Sequence, residues 1–137
     1  MRGILTGLTR GANRNHVVRA ALESLAYQTA DVLHIMEQDT GLTTASLAVD
    51  GGACSNDFLM QFQADIIDRS VIRPEIIEST SLGAAYLAGL GAGVWRDTQQ
   101  LAALKSIESE FKPRMDAQQR ASLLAGWQHA VRQCTHV

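Results

Sequence analysis

The segment Val49-Asp50-Gly51-Gly52-Ala53 constrains the fold of this chain more than any other. It closes the short apolar run Ala45-Ser46-Leu47-Ala48-Val49 and hands it directly to a helical pattern. A run of that length with apolar character almost throughout reads as a strand covered on both faces. After the glycines, Ser55 or Asn56 can cap a helix in which Phe58, Leu59, Phe62, Ile66 and Ile67 follow helical spacing. A strand that passes through two glycines into a helix N-terminus is a junction of an α/β fold.

The flanking sequence extends the same alternation. Apolar positions Val18, Leu22, Leu25, Ala26, Thr29, Leu33 and Met36 recur at three- and four-residue steps between a cap at Asn13 and a stop at Gly41. Arg14, Arg19, Glu23, Asp31 and Glu37 fall on the face expected to be solvated. Ahead of this helix, Met1 to Arg10 reads as a strand end and loop, broken by Gly3 and Gly7. Beyond the double glycine, Ser70-Val71-Ile72-Arg73 predicts a second strand ended by Pro74. Ser79-Thr80-Ser81 then caps a small-residue helix from Leu82 to about Leu90. Asp97 and Asp116 can cap two later helices, through Leu104 and through about Gln133, with Phe111-Lys112-Pro113 as a loop between them. The reading is one α/β domain over residues 1–137, with a βαβαβα core of parallel strands at about 1–95 and a helical tail at about 96–137.

Composition removes several classes of function. The chain's 137 residues carry 12 basic and 14 acidic side chains, and no Lys/Arg cluster supplies the footprint that nucleic acid or an anionic membrane needs. Neither partner is expected. Cys54 and Cys134 lie far apart and match no metal-ligand spacing, and no apolar span or secretory signal accompanies them, so a reducing cytoplasm is the expected setting. His16, His34, His129 and His136 form no zinc-like set.

The chemistry gathers at the turn. Glycine tolerates positive φ and close approach to the backbone, and free N–H groups at a helix start favour an anion such as phosphate. Asp50 has two readings: it orients a metal-bound water or ligand hydroxyl, or it bonds the amides of its own turn. Asn56 likewise either meets an adenine or ribose edge or serves as an N-cap. Arg10, a loop arginine, can meet phosphate or pair with a carboxylate. The spacing is not G-x-G-x-x-G, no P-loop Lys follows, and Arg73 stands where a dinucleotide-binding strand would end in an acid. A dinucleotide oxidoreductase is therefore disfavoured.

Longer blocks carry a resemblance. Gly7-Leu8-Thr9-Arg10-Gly11, the stretch Arg19 to Gln28, Val49 to Ala53, Asn56 to Ile66, Arg73-Pro74-Glu75 and Leu82 to Gly89, together with Trp95, Phe111-Lys112-Pro113 and Gly126-Trp127, closely resemble the C-terminal end of the glycerol kinases within the FGGY family of carbohydrate kinases. That resemblance implies a partial actin-like ATPase (ribonuclease H-like) domain that would bind ATP with Mg²⁺ as part of a protein converting glycerol to glycerol 3-phosphate. Gly52 and Asn56 match residues that contact the nucleotide, and Gly51 and Ala53 complete the adenosine-side turn. The family's polyol site, catalytic aspartate and first phosphate hairpin precede the position matching Met1. The chain is thus expected to be inactive alone, to need the preceding kinase portion, and to form homo-oligomers through uncovered sheet surface. A non-catalytic interaction module with the kinase fold is the alternative.

Overall fold

The computed structural model describes residues 3–104 and 106–135. Five helices and three strands follow one another as α1 (Arg14–Thr40), β1 (Ser46–Ala48), a 3₁₀ turn (Gly52–Ser55), α2 (Asp57–Ile67), β2 (Ser70–Pro74), α3 (Ser79–Gly91), α4 (Thr98–Ala102), β3 (Ile107–Phe111) and α5 (Ala117–Thr135). The sheet order is β1-β2-β3. β1 runs parallel to β2, with Leu47 opposite Val71, and β3 lies antiparallel on the other side of β2, with Val71 opposite Phe111. The α/β class and the parallel pair agree with the sequence reading.

Helix ends follow local chemistry. The Asn13 side chain accepts from the amides of Asn15 and His16, while His16 Nδ1 accepts from the Asn13 amide at 3.1 Å, a reciprocal cap. His16 is thereby a satisfied capping residue. Gly41 ends α1 at φ 67°, with its N–H on the Glu37 carbonyl. Asp97 and Asp116 accept from Gln100 and Gln119 as the later caps.

Helix α2 is the centre of the fold. It buries Leu59, Met60, Phe62, Gln63, Ala64, Ile66 and Ile67, and it lies against Ala26 and Tyr27 of α1 and Val71 of β2. Tyr27 meets Phe62 edge-on at 5.6 Å and stacks on Trp127 of α5 at 5.3 Å. The Trp127 Nε1 donates to Asp31 at 2.7 Å, so α5 is tied to α1 by both an aromatic and a polar contact. Asp65 organises the approach to α5. Its carboxylate accepts from Gln61 and from the backbone of Arg114 and Met115, and its carbonyl accepts from Arg120 Nε at 2.6 Å.

Several expectations need correction. No strand forms at residues 3–10, which run as irregular backbone into a turn; Met1 and Arg2, where that strand end was expected to begin, lie outside the described residues. β1 is not covered on both faces, since Leu47 is half-buried while Ser46 and Ala48 are exposed. Helix α1 buries Ala26 and Tyr27, whereas Val18, Leu25 and Met36 are exposed, because its neighbours α2 and α5 reach only one side of a wide apolar arc. On its expected solvated face, Glu23 pairs with Arg19, Asp31 holds Trp127 and Glu37 accepts from the Thr44 amide at 2.7 Å, leaving all three half-buried. Helix α3 starts at Ser79 rather than Leu82: the Leu82 amide already donates to the Glu78 carbonyl, and the Ser81 hydroxyl bonds to that carbonyl instead of capping. Ile107–Phe111, expected to be helical tail running into a loop, forms β3.

Tyr27 also predicts a pH effect. Its hydroxyl is pushed up to about 12, chiefly by burial and then by the Glu23 charge, against a lowering influence from Arg19. An unfolded tyrosine ionises near about 10. Between those values the unfolded chain releases a proton that the folded chain keeps, so Tyr27's contribution is intact below pH ~10 and is lost as pH rises towards ~12. Urea melts across that range are expected to show falling stability, and Tyr27→Phe is expected to flatten the slope.

Candidate functional site

The Asp50–Asn56 segment follows β1 at its carboxyl end and is anchored from two directions. The Val49 amide extends the parallel ladder onto the Ile72 carbonyl at 3.1 Å, and the Gly51 amide donates to the Ile77 carbonyl at 2.8 Å. Gly51 itself sits at φ 77° and ψ 171°, a backbone region open essentially to glycine alone. The chain then tightens into one 3₁₀ turn, with the Cys54 amide on the Gly51 carbonyl and the Ser55 hydroxyl on the Gly52 carbonyl. Four residues are too few for their own periodicity to show in the sequence.

The two glycines have different reasons to be there. Gly51 is required by its φ, whereas a Cβ built on Gly52 meets nothing within 4 Å among the described residues and its φ is not in the left-handed region. The fold does not need a glycine at position 52. Its bare backbone leaves open space over the turn, and the N–H groups of Gly52 and Ala53 make no hydrogen bond among the described residues. Exposed backbone donors beside an unfilled surface suit a ligand with acceptor groups.

Asn56 lies at the far end of this surface. Its Oδ1 accepts from the Leu59 amide at 3.1 Å and caps α2, so the capping reading of this residue is realised. Its Nδ2 makes no hydrogen bond among the described residues. The cap and a ligand contact are therefore compatible: one end of the amide fixes the side chain and the other remains a donor. The helix dipole of α2 begins at Asn56–Asp57 and not at Gly52, because the 3₁₀ turn intervenes. Asp50 is exposed and its carboxylate makes no hydrogen bond to the turn's amides. Of its two readings, the self-bonded one is not what the fold adopts.

Two concavities meet at Asp50. One, of about 470 Å³, lies between the sheet and α3, with Val49, Ile72, Ile76, Leu82 and Tyr86 in its wall. The other, of about 480 Å³, lies between α1 and α2, with Leu25, Val32, Ala53, Leu59 and Gln63. Ala53 faces the second, while Gly52 and Asn56 line neither and lie on the exposed ridge beside them. The Gly7–Gly11 loop borders a separate groove against the start of α1, and its Arg10 forms no ion pair among the described residues. The loop and the turn share no cavity wall.

Arg73 supports this site from the end of β2, a role that its place in the sequence does not reveal. It is buried, its guanidinium bonds the Cys54 carbonyl at 2.9 Å and Asp57 at 2.7 Å, and it lies over the Phe111 ring. The hydrogen bond to Asp57, together with the nearby Glu108 charge, holds its pKa above even the usual arginine value. Its partners lie 16 to 36 residues away in the chain, so no local pattern could announce them. Cys54 is a buried free thiol and Cys134 a half-buried one. Among the described residues, no group of three or more His, Cys, Asp or Glu side chains could hold a metal ion, and no helix is long and apolar enough to cross a membrane.

Comparison with known proteins places this geometry. Residues 1–92 match the model of the FGGY family of carbohydrate kinases, C-terminal domain. The chain is 59% identical over 130 residues to a glycerol kinase of Shewanella sp. (strain ANA-3), and 56% identical over 130 residues to one of Aeromonas hydrophila; each alignment covers 95% of this chain and 26% of the relative. The chain thus spans about a quarter of the length of the curated relatives it matches. Among solved structures, Plasmodium falciparum glycerol kinase with ADP superposes with a TM-score of 0.81 at 33% identity, over 93% of this chain and 26% of that one. A ligand-bound xylulose kinase from Lactobacillus acidophilus shares the fold at a TM-score of 0.71 and 22% identity, over 95% of this chain and 25% of that one. With the family model matching well over half of its residues, this chain belongs to the FGGY family of carbohydrate kinases and carries part of their C-terminal, actin-like ATPase domain.

Proposed function

We propose that the chain is the ATP-binding portion of a glycerol kinase, in which Gly51, Gly52, Ala53 and Asn56 form the adenosine side of the nucleotide site. The observation that carries this reading is the contrast between the glycines: Gly51 is dictated by φ 77°, and Gly52 is left bare where no atom of the described residues needs the room. A bare glycine next to two unbonded amides and an Asn56 amide nitrogen suits a ligand lying against the backbone. The relative whose structure holds ADP is also a glycerol kinase.

In this reading residues 1–137 act as one unit, with a core at about 1–95 and a tail at about 96–137, in a reducing cytoplasm. Mg²⁺ would be carried chiefly by the nucleotide's phosphates and by water, since the ion needs only one or two carboxylates from protein and Asp50 is the one carboxylate at the turn. Phosphoryl transfer depends on a base at the acceptor hydroxyl and on donors around the transferred group, and one adenosine-side turn supplies neither. The chain is therefore proposed to bind nucleotide without turnover and to need the remaining kinase polypeptide to phosphorylate glycerol. The exposed apolar face of α1, with Val18, Leu25, Val32, Ile35 and Met36, and the open edge of β1 favour protein partners: that remaining portion, or in its absence a second copy of this chain.

Calorimetric titration with ATP and Mg²⁺ tests the binding, and a coupled glycerol assay tests the turnover. Saturable binding with no glycerol phosphorylation is expected. Turnover by the isolated chain in the ordinary kinase range of about 1–100 s⁻¹, with host enzyme excluded, would contradict the account, as would an absence of nucleotide binding.

A further inference from the structure

We propose that Arg73 is the positioning residue of the nucleotide turn and that, through it, strand β3 sets how firmly the turn holds a nucleotide; the proposal rests on the reading of Gly52 and Asn56 given above. Arg73 sits near the end of β2 with a buried guanidinium that reaches two groups of partners. On the side of the turn, Nη1 donates to the Cys54 carbonyl at 2.9 Å and to Asp57 Oδ1 at 2.7 Å. Cys54 lies within the 3₁₀ turn and Asp57 opens α2, so these contacts flank Asn56, and the first of them follows directly on the bare backbone of Gly52 and Ala53. One planar guanidinium thus ties the middle of the turn to the start of α2 and fixes the Asn56 end of the surface that the ligand would touch.

The opposite side of the guanidinium belongs to β3. Nη2 reaches Ser109 Oγ at 3.3 Å, Nε lies 3.1 Å from the Glu108 carboxylate, and the group stands 5.2 Å over the Phe111 ring. The Nε is buried without a well-directed hydrogen bond even though Glu108 is that close. Electrostatic attraction therefore dominates that contact, and the orientation of Arg73 depends on where β3 sits. Glu108, Ser109 and Phe111 all lie beyond residues 1–92, the part that matches the family's domain model. The fork thus joins the C-terminal segment to the turn, and a lysine, a single-headed cation, cannot make the same set of contacts.

The experiment uses the full chain and combines ADP titration by calorimetry with residue-resolved hydrogen exchange on wild type, Arg73→Lys, Glu108→Ala and the double variant. Arg73→Lys is expected to weaken ADP binding by about tenfold, as loss of supporting contacts does at other preorganised sites. Glu108→Ala, which touches neither the turn nor the ligand surface, is expected to weaken it by about threefold and to add nothing in the Arg73→Lys background. Faster exchange should concentrate at the amides of Cys54, Asn56 and Leu59, all bonded within the turn and its cap. Unchanged ADP affinity in both single variants, additive losses, or exchange raised equally across α1 and α2 would overturn the proposal. If Arg73→Lys does not fold, Glu108→Ala decides by the same criteria. If wild type binds no ADP, the reading of the turn as a nucleotide site fails, and the proposal for how the nucleotide is held fails with it; local exchange at Cys54, Asn56 and Leu59 then shows separately whether the fork orders the turn.

Discussion

Gly51→Val and Gly52→Val, neighbours in sequence, are expected to fail in opposite ways. At position 51 the backbone holds φ 77° and ψ 171°, and its amide is committed to the Ile77 carbonyl. A β-branched residue forced into that region costs on the order of 1–3 kcal/mol, more where the surroundings cannot yield. The variant should melt earlier, and its residual folded fraction should have a displaced 3₁₀ turn. At position 52 a side chain has open space and no forbidden φ, so stability should change by only about 0.5 kcal/mol. Yet that side chain would fill the surface that the two unbonded amides present, and nucleotide affinity should fall by about tenfold or more. Thermal melts paired with ATP titration separate the two. A Gly52→Val variant that is badly destabilised would mean that the glycine serves the fold and not a ligand.

Trp127→Ala is expected to give the largest loss of stability, about 3 kcal/mol or more. The ring stacks on Tyr27, and the indole N–H donates to Asp31, so one side chain supplies both the apolar and the polar link between α5 and α1. Truncation removes the stacking, leaves the half-buried Asp31 carboxylate without its donor and uncovers Tyr27. Trp127→Phe keeps most of the ring contact and should recover a large part of the loss, short of the hydrogen bond. Urea denaturation measures both, and equal midpoints for wild type and Trp127→Ala would show that α5 is not integral to the core.

What could be read from the sequence follows the range of the interactions involved. The caps at Asn13, Asn56, Asp97 and Asp116 were legible because each depends on a side chain and an amide within three residues. The parallel β1–β2 pair was legible from alternation of apolar runs and helical periods. β3 was not: Ile107-Glu108-Ser109-Glu110-Phe111 is an edge strand with two acids, and only its pairing with β2, 33 to 40 positions back, makes it a strand. Helix α1 shows the limit of periodicity, which identified the element but not which part of its apolar arc is covered; Ala26 and Tyr27 are buried because α2 and Trp127 meet them there.

The site divides in the same way. Gly51, Gly52, Ala53 and Asn56 lie close together in the chain, and the double glycine ahead of a helix start singles out that stretch as a candidate. The support beneath them could not be foreseen, because Arg73 gathers its partners from the 3₁₀ turn, α2 and β3. Asp57 and Glu108 lie far apart in the chain, and only the fold brings them to one guanidinium.

The most direct test of the nucleotide site is an amide-resolved NMR titration of the chain with ADP and Mg²⁺. The account predicts saturable shifts at Gly51, Gly52, Ala53 and Asn56, lost in Gly52→Val while the rest of the spectrum is kept. Shifts confined to other surfaces, such as the Gly7–Gly11 loop, or no shifts at all, would contradict it.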